Sequence, residues 1–280
     1  MTKPTVYFKA VLSVLFLLLS STLFAEGRVY PGVDVLLNQQ IKLLKGKRVG
    51  LITNPTGLNY QMKATVDLFA KHPEINLTAL FAPEHGIRGD LAAGEHVKGG
   101  KDPKTGLPVY SLYGGKDHKP KKVHLAKVDI LVYDIQDVGS RAYTYIWSLA
   151  EAMKAAAVEG KEVMVLDRPN VYGGNTVDGP AVDKKNISFI GLYPIPRVYG
   201  MTVGELAVLL NTEYNLNCKL YVIPMAGYKR GMTWAETKLA WVPASPNIPT
   251  PASAHCFAAT GAIGNIGGMD MGSWSNLPFQ

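Results

Sequence analysis

The 280-residue sequence is short of the features that mark most cofactor-dependent chemistry. It has no Gly-x-x-x-x-Gly-Lys-Ser/Thr loop and no Gly-x-Gly-x-x-Gly after a strand-like run, so a nucleotide would find no phosphate cradle. Gly261, Gly264 and Gly267 come nearest, and their spacing misses the fingerprint. The absence of a Gly-x-Ser-x-Gly elbow counts against a serine hydrolase. The histidines lack His-x-His or His-x-x-x-His spacing, and Glu84, His85 and His96 are too scattered for a ligand set. No metal and no other cofactor is therefore expected. Cysteine is scarce: Cys218 and Cys256 allow one disulfide at most, and both read as thiols left unbridged. There is no long Lys/Arg block behind the formal charge of +7. The densest cluster, Lys116 to Lys122, reads as a solvated loop, and a nucleic-acid partner is not expected. No internal repeat or low-complexity segment is evident.

Only one apolar run is long enough to invite a membrane, and it lies at the N-terminus. Lys3 and Lys9 precede an almost purely apolar stretch from Ala10 to Leu19, and Phe24-Ala25 then offers a small residue for cleavage. The run is too short for a comfortable span and gives way at once to polar sequence, the pattern of a signal peptide over residues 1–25. The remainder is expected to be periplasmic or secreted, with no stable membrane insertion once the leader is gone. It carries about +5 without the two leader lysines.

The rest of the chain alternates between two periods. Lys47–Thr53, Leu77–Phe81, Val128–Tyr133, Glu162–Leu166 and Lys219–Ile223 are short, apolar and largely β-branched. Helical spacing appears over Met62–Lys71, Tyr143–Val158 and Val203–Tyr214, the last preceded by the Thr202/Glu205 capping box. Pro108–Leu112 and Ser188–Gly191 are briefer strand candidates, while Trp241–Pro251 holds too many prolines for regular helix. Strand, loop, helix, strand, with strands continuously apolar, is the grammar of a parallel sheet covered on both faces. The expected class is α/β, a Rossmann-like parallel-sheet domain.

In such a sheet, ligands bind beyond the carboxyl ends of the strands. Three of those ends are loaded with polar residues: Glu84-His85, then Asp134, Gln136 and Asp137 with Arg141 and Tyr143, then Asp167-Arg168 with Asn170. Each has a plainer reading. Asp137 could cap the following helix, Arg141 could pair with Asp134 or Asp167, and Asp167-Arg168 could be a structural pair. Glu84 is hardest to explain that way, because it sits between Pro83 and a His-Gly turn with no helix to cap. Carboxylates acting as general acid or nucleophile are the tools of glycoside cleavage.

Several segments, in order, sharpen this reading. Ala82-Pro-Glu-His-Gly-Ile-Arg-Gly89, Tyr133-Asp-Ile-Gln-Asp-Val-Gly-Ser-Arg141 and Tyr143-Thr-Tyr145 come first. Val165-Leu-Asp-Arg-Pro-Asn170, Tyr199-Gly-Met-Thr-Val-Gly-Glu-Leu206 and Ser245-Pro-Asn-Ile-Pro-Thr250 follow. The set resembles the exo-β-N-acetylmuramidase family over about residues 32–280. The resemblance implies a Rossmann-like catalytic domain, here 26–245, and a smaller C-terminal lobe. Residues 246–280 are expected to be only the start of that lobe, which is largely missing and lacks the family's Glu-Gly-Thr-Asn segment.

The resemblance further implies release of terminal N-acetylmuramic acid from the non-reducing end of peptidoglycan fragments. Glu84 becomes the candidate general acid, kept protonated by apolar neighbours such as Phe81 and Pro83. His85, Asp134 and Asp137 would shape or charge the subsite, with His85 and Asp137 taken as catalytic beside Glu84. Arg141 or Arg168 would grip the lactyl carboxylate, and Tyr143 or Tyr145 would stack on a sugar face. Gln136, Asp167, Asn170 and Asn247 complete the expected substrate-binding set. The alternatives are a non-catalytic periplasmic protein that binds peptidoglycan or sugar on the same fold, and a hydrolase for a different wall linkage.

Overall fold

The computed structural model describes residues 24, 27–89, 99–113, 118–263, 266, 269, 271–272 and 278–279. The expected leader, His96 and part of the 116–122 cluster lie outside the described residues, as does most of the 263–270 stretch. Among the described residues no helix is long and apolar enough to cross a membrane.

A seven-stranded sheet forms the centre. Its strands are β1 (Arg48–Thr53), β2 (Asn76–Ala82), β3 (Gly100–Lys101), β4 (Pro108–Ser111), β5 (Ile130–Asp134), β6 (Glu162–Leu166) and, after an outlying pair β7 (Val177–Asp178) and β8 (Val198–Tyr199), β9 (Lys219–Ile223). The order is β3-β4-β2-β1-β5-β6-β9, parallel throughout except for the β3–β4 edge. The chain therefore starts in the middle at β1, builds outward through β2 and β4, then returns to lay β5, β6 and β9 on the other side. The loops after β1 and β5 diverge, and that is the switch point where α/β proteins open a crevice.

The centre of the sheet is buried on both sides because its strands alternate between two cores. In β5, Ile130 and Val132 join one cluster while Leu131 and Tyr133 join the other. One face is covered by α1 (Gly32–Val35), with the π and 3-10 turns that continue it to Leu44, and by α2 (Thr65–Lys71). Val33, Leu36, Leu44, Val66 and Phe69 form that layer. The other face takes α4 (Tyr145–Val158), α5 (Val203–Glu213) and α7 (Pro251–Thr260), while the single-turn helices α3 (Lys122–Leu125) and α6 (Trp234–Thr237) lie at the edges. Trp147, Met153, Leu206 and Leu210 fill the gap there. Ile248 and Ala254, from the stretch expected to open a second lobe, are buried in this same cluster.

Most elements fall where the sequence places them, and the exceptions have local causes. The helix expected from Met62 begins at Thr65 instead. Asn59 Oδ1 accepts from the backbone N–H of Gln61 and Lys63, and Met62 takes a left-handed φ of 63°, so a polar turn outcompetes the first helical turn. Ser188–Gly191 closes by a single bridge, not a strand. Pro251 ends the proline-rich stretch by opening α7, where a missing N–H costs nothing. Cys218 is a buried thiol and Cys256 a partly buried one, with no bridge between them.

The first helix approaches the sheet closely enough to need a glycine. A Cβ on Gly32 would stand 2.5 Å from the backbone N of Asp167 and 2.6 Å from the carbonyl O of Ile223. Neither is a flexible side-chain tip, so Gly32→Ala must push α1 away from β6 and β9. We expect a loss of about 1–3 kcal/mol in chemical denaturation, with the denaturant slope unchanged.

Candidate active site

Because β2, β1, β5 and β6 are neighbours, the loops that follow them stand side by side along one edge. They carry, in that order, Glu84-His85, Asn54–Thr56, Gln136-Asp137 and Asp167–Asn170. The three polar strand ends picked out in the sequence are thus brought together, with a fourth, after β1, between them.

The centre of this edge is a buried ion pair. Asp134, the last residue of β5, is fully buried; its Oδ1 accepts from Arg168 Nε at 2.6 Å and its Oδ2 from Thr65 Oγ1 at 2.5 Å. Arg168 Nη2 reaches the Leu58 carbonyl at 2.7 Å. Asp134 was expected to meet substrate, yet both its oxygens are engaged inside the protein, so it works as the anchor for Arg168. Arg141 pairs with neither Asp134 nor Asp167.

Asp167 is occupied in a similar way. Its Oδ1 accepts from the backbone N–H of Arg168 and Gly204, and its Oδ2 from Thr202 Oγ1 at 2.8 Å, which ties β6 to the N-terminus of α5. Burial nevertheless raises its carboxyl to about 6, with the Gly204 and Thr202 bonds working the other way. Asn170 holds the next turn, donating to the Met201 carbonyl and accepting from Tyr172 N–H.

Asp137 differs from these. It is buried, with no ion-pair partner among the described residues; Oδ2 accepts from Tyr199 Oη at 2.5 Å and from Gly139 N–H at 2.6 Å. Its Oδ1 has no hydrogen-bond partner among the described residues. Burial drives the carboxyl up to about 7, against the relief those two bonds give. The bond to residue 139 closes an Asx turn that needs a glycine: φ is +77°, and a Cβ there would sit 2.4 Å from Asn170 Oδ1.

Glu84 is the more open carboxylate. It is half-buried, on a turn whose next residue, His85, adopts φ +70° before Gly86 at +76°. A left-handed histidine is strained, and such strain gathers where a side chain has to be aimed. His85 itself is buried. Thr144 Oγ1 lies 3.4 Å from Glu84 Oε2. Burial, and then the Glu84 charge, push the Tyr113 hydroxyl up to about 12. Tyr143 is raised chiefly by burial and feels both Glu84 and Asp137.

Of the expected aromatic platforms, Tyr143 is part-exposed, its ring edge-on to Tyr145 and Phe257. Tyr145 is 1 % exposed and its hydroxyl donates to the Ala244 carbonyl at 2.6 Å. As the first residue of α4 it turns inward onto the sheet, so it cannot stack on a ligand. Arg141 Nη1 donates to the Pro180 and Ile195 carbonyls, both at 2.7 Å. It is half-buried, and desolvation together with nearby Arg197 lowers its pKa. Neither Arg141 nor Arg197 has a carboxylate partner among the described residues, in contrast to Arg168. Gln136 is buried, and Asn247 is half-buried beside Ser245.

Sequence reasoning missed Asp34, Asn54, Thr56, Thr65, Tyr113, Thr144 and Tyr199. The Asn54 and Thr56 side chains bond each other at 2.6 Å, and Thr56 Oγ1 accepts from Gln136 N–H. Asp34 is buried in α1 and raised to about 6, mainly by burial. Nothing local in the sequence marks these roles, because their partners lie on distant segments.

Fold and site together define a Rossmann-like α/β protein whose carboxylates gather at the carboxyl ends of its central parallel strands. The chain belongs to the NamZ exo-β-N-acetylmuramidase family: residues 49–252 match the family described as "Exo-beta-N-acetylmuramidase NamZ, N-terminal". It is 50% identical over 255 residues to the peptidoglycan β-N-acetylmuramidase NamZ of Bacillus subtilis, covering 91% of this chain and 61% of that one. Two DUF1343 family proteins of Bacteroides fragilis have similar crystal structures. One has a TM-score of 0.85 at 47% identity, covering 91% of this chain and 65% of its own. The other has a TM-score of 0.76 at 35% identity, covering 90% and 66%. The chain thus spans under two thirds of the length of these relatives.

Two expectations follow from the buried acids. Arg168→Met, which strands the Asp134 charge, should cost about 3–5 kcal/mol, and Asp134→Leu/Arg168→Met together should recover most of it. Urea titrations of the three variants would measure this. Asp137 has a folded pKa above its unfolded value, so its contribution is full below about pH 4 and is lost as pH rises to about 7. Melting curves from pH 5 to 8 should therefore fall more steeply for the wild type than for Asp137→Asn, by more than ~1 kcal/mol across the range.

Proposed function

We propose that this chain carries the catalytic carboxylate of an exo-acting glycoside hydrolase that releases terminal N-acetylmuramic acid from the non-reducing ends of peptidoglycan fragments. The observation that carries the reading is Glu84, a half-buried carboxyl aimed by a strained turn at the switch-point edge and ringed by the hydroxyls of Thr144 and Tyr113. The activity named for the Bacillus subtilis relative supports it. The N-terminal pattern supports export, with the site facing the periplasm or the outside.

In this mechanism Glu84 protonates the glycosidic oxygen as the bond to the anomeric carbon breaks, so the leaving sugar departs as a neutral alcohol. Positive charge grows on the sugar ring as that bond stretches, and water completes the hydrolysis by adding to the anomeric carbon and giving a proton back to the enzyme. Asp137 adds negative potential beneath the ring when ionised, and His85 sets the direction of Glu84 through the backbone of their shared turn. Between the two candidate arginines, Arg141 suits the lactyl carboxylate better. Its charge stands beside Arg197 with no acidic partner among the described residues, whereas Arg168 is already neutralised by Asp134. Tyr143, the part-exposed one of the two tyrosines, offers an aromatic contact, and Asn247 a polar one from the Ser-Pro-Asn segment.

Release of N-acetylmuramic acid from a β-linked chromogenic muramide tests the reading directly. Glu84→Gln should lower kcat by about 10²–10⁴-fold while leaving ligand affinity within a few-fold. Full activity in that variant would remove Glu84 from the mechanism. Binding without turnover in the wild type would favour the non-catalytic sugar-binding alternative.

A further inference from the structure

A narrow pocket opens between the loop after β1, the loops after β5 and β6, and the 234–242 segment. Leu58, Trp234, Leu239 and Val242 give it apolar walls, and Asn59 and Tyr60 lie in the lining beside them. Two deeply buried polar side chains also line it, Gln136 and Arg168, each 4% exposed.

The hydrogen bonds already made fix what these two groups offer. Gln136 Nε2 donates to the carbonyls of Asp137 at 2.9 Å and Pro169 at 2.7 Å. Two carbonyl acceptors can be served only by the amide nitrogen, so the amide cannot be flipped and Oε1 is left as an acceptor with no partner among the described residues. Arg168 spends Nε on Asp134 and Nη2 on Leu58, and no described hydrogen bond uses Nη1. Thr56, which also lines the pocket, has its hydroxyl committed to Asn54 and to Gln136 N–H.

Gln136 and Arg168 therefore leave one acceptor and one donor beside the apolar walls, and the charge of that donor is cancelled. Asp134 balances Arg168 at 2.6 Å, and Asp34 stands close enough to both to feel them. A carboxylate would gain little from a guanidinium already paired and would meet the Gln136 oxygen as a second acceptor. A neutral secondary amide with a small apolar end matches these two groups: C=O to Arg168 Nη1, N–H to Gln136 Oε1, methyl against Leu58, Trp234 and Val242.

We infer that this pocket is the recognition site for the acetamido group of the sugar ligand, and that Arg168 reads an amide and not an acid. The inference rests on the reading of the ligand as an N-acetylated wall sugar, and it gives Arg168 a different task from the lactyl-binding one considered above. A site built to pair both ends of an amide rejects a ligand lacking it, because the buried acceptor and donor are then left unmet.

The test is calorimetric titration of the protein with N-acetylmuramic acid and with muramic acid, which keeps the lactyl carboxylate but carries an amine in place of the acetamido group. We expect N-acetylmuramic acid to bind at least about tenfold more tightly, and Val242→Trp, which fills the pocket, to bring that ratio toward one. Trp234 emission should respond to the N-acetylated sugar alone, a signal lost in Trp234→Phe; this second readout stands if Val242→Trp fails to fold. Equal affinities in the wild type, no binding of either sugar, or a ratio untouched by folded Val242→Trp would each overturn the inference. The two readings fail separately. A tenfold ratio without glycoside cleavage overturns only the hydrolase, and cleavage with a ratio of one overturns only the pocket.

Discussion

The crevice depends on the pairing of Arg168 with Asp134. One bond joins the carboxyl end of β5 to the loop after β6, and the same guanidinium extends to the Leu58 carbonyl in the loop after β1. Thr65, at the start of α2, closes the other side of the carboxylate. Three stretches remote in sequence, 58–65, 134 and 168, are thus held by two side chains that are nearly or fully buried. A buried pair of this kind adds little net stability, since desolvating both charges offsets their attraction. Its value is geometric. Each charge leaves the other a single satisfactory position, and the Gln136 amide and the Asp137 turn are built on that fixed point.

With that point fixed, environment sorts chemically identical residues into different tasks. Asp134 is bound to a cation, Asp167 to the start of a helix, and Asp137 to a phenol and one backbone N–H; Glu84 alone among these four is half-exposed. The arginines divide in the same way. Arg168 is charge-cancelled and buried, and Arg141 is held by two carbonyls beside a second cation. Position along the chain does not predict this division, because each task is set by what packs against the residue and not by its neighbours in sequence.

That limit explains what was legible beforehand. The strands were readable because the central ones are buried on both faces and so largely apolar; Glu162–Leu166 has the bounds the pattern implies, as does the part-buried edge strand Lys219–Ile223. The Thr202/Glu205 box was readable because a helix cap is a local bargain between residues three apart. The three loaded strand ends were found for the same reason, since polar residues at the close of an apolar run stand out. The direction of each side chain was not legible. Tyr145 looked like a platform until α4 turned it inward, and Asp134 looked like a ligand until Arg168, 34 residues later, claimed it. Asp34 and Tyr199 were invisible as site residues because their partners are far away in sequence.

A parallel sheet of this kind has nowhere else to keep its polar chemistry. The buried stretches of its central strands are almost wholly apolar, so polar residues gather where those strands stop: Asn54 after β1, Glu84 after β2, Asp134 ending β5, Asp167 after β6. Crowded into one edge and cut off from water, they must satisfy one another, and the loops interlock as a result. Gln136 is held by Pro169, Thr56 by Asn54, and Asp137 by Tyr199 from the outlying β7–β8 pair. Interlocking makes the edge rigid without regular secondary structure, and it leaves only a few polar atoms unspent. Those atoms, the Gln136 oxygen and the outer oxygen of Asp137 among them, are where the fold has polarity left to offer a ligand.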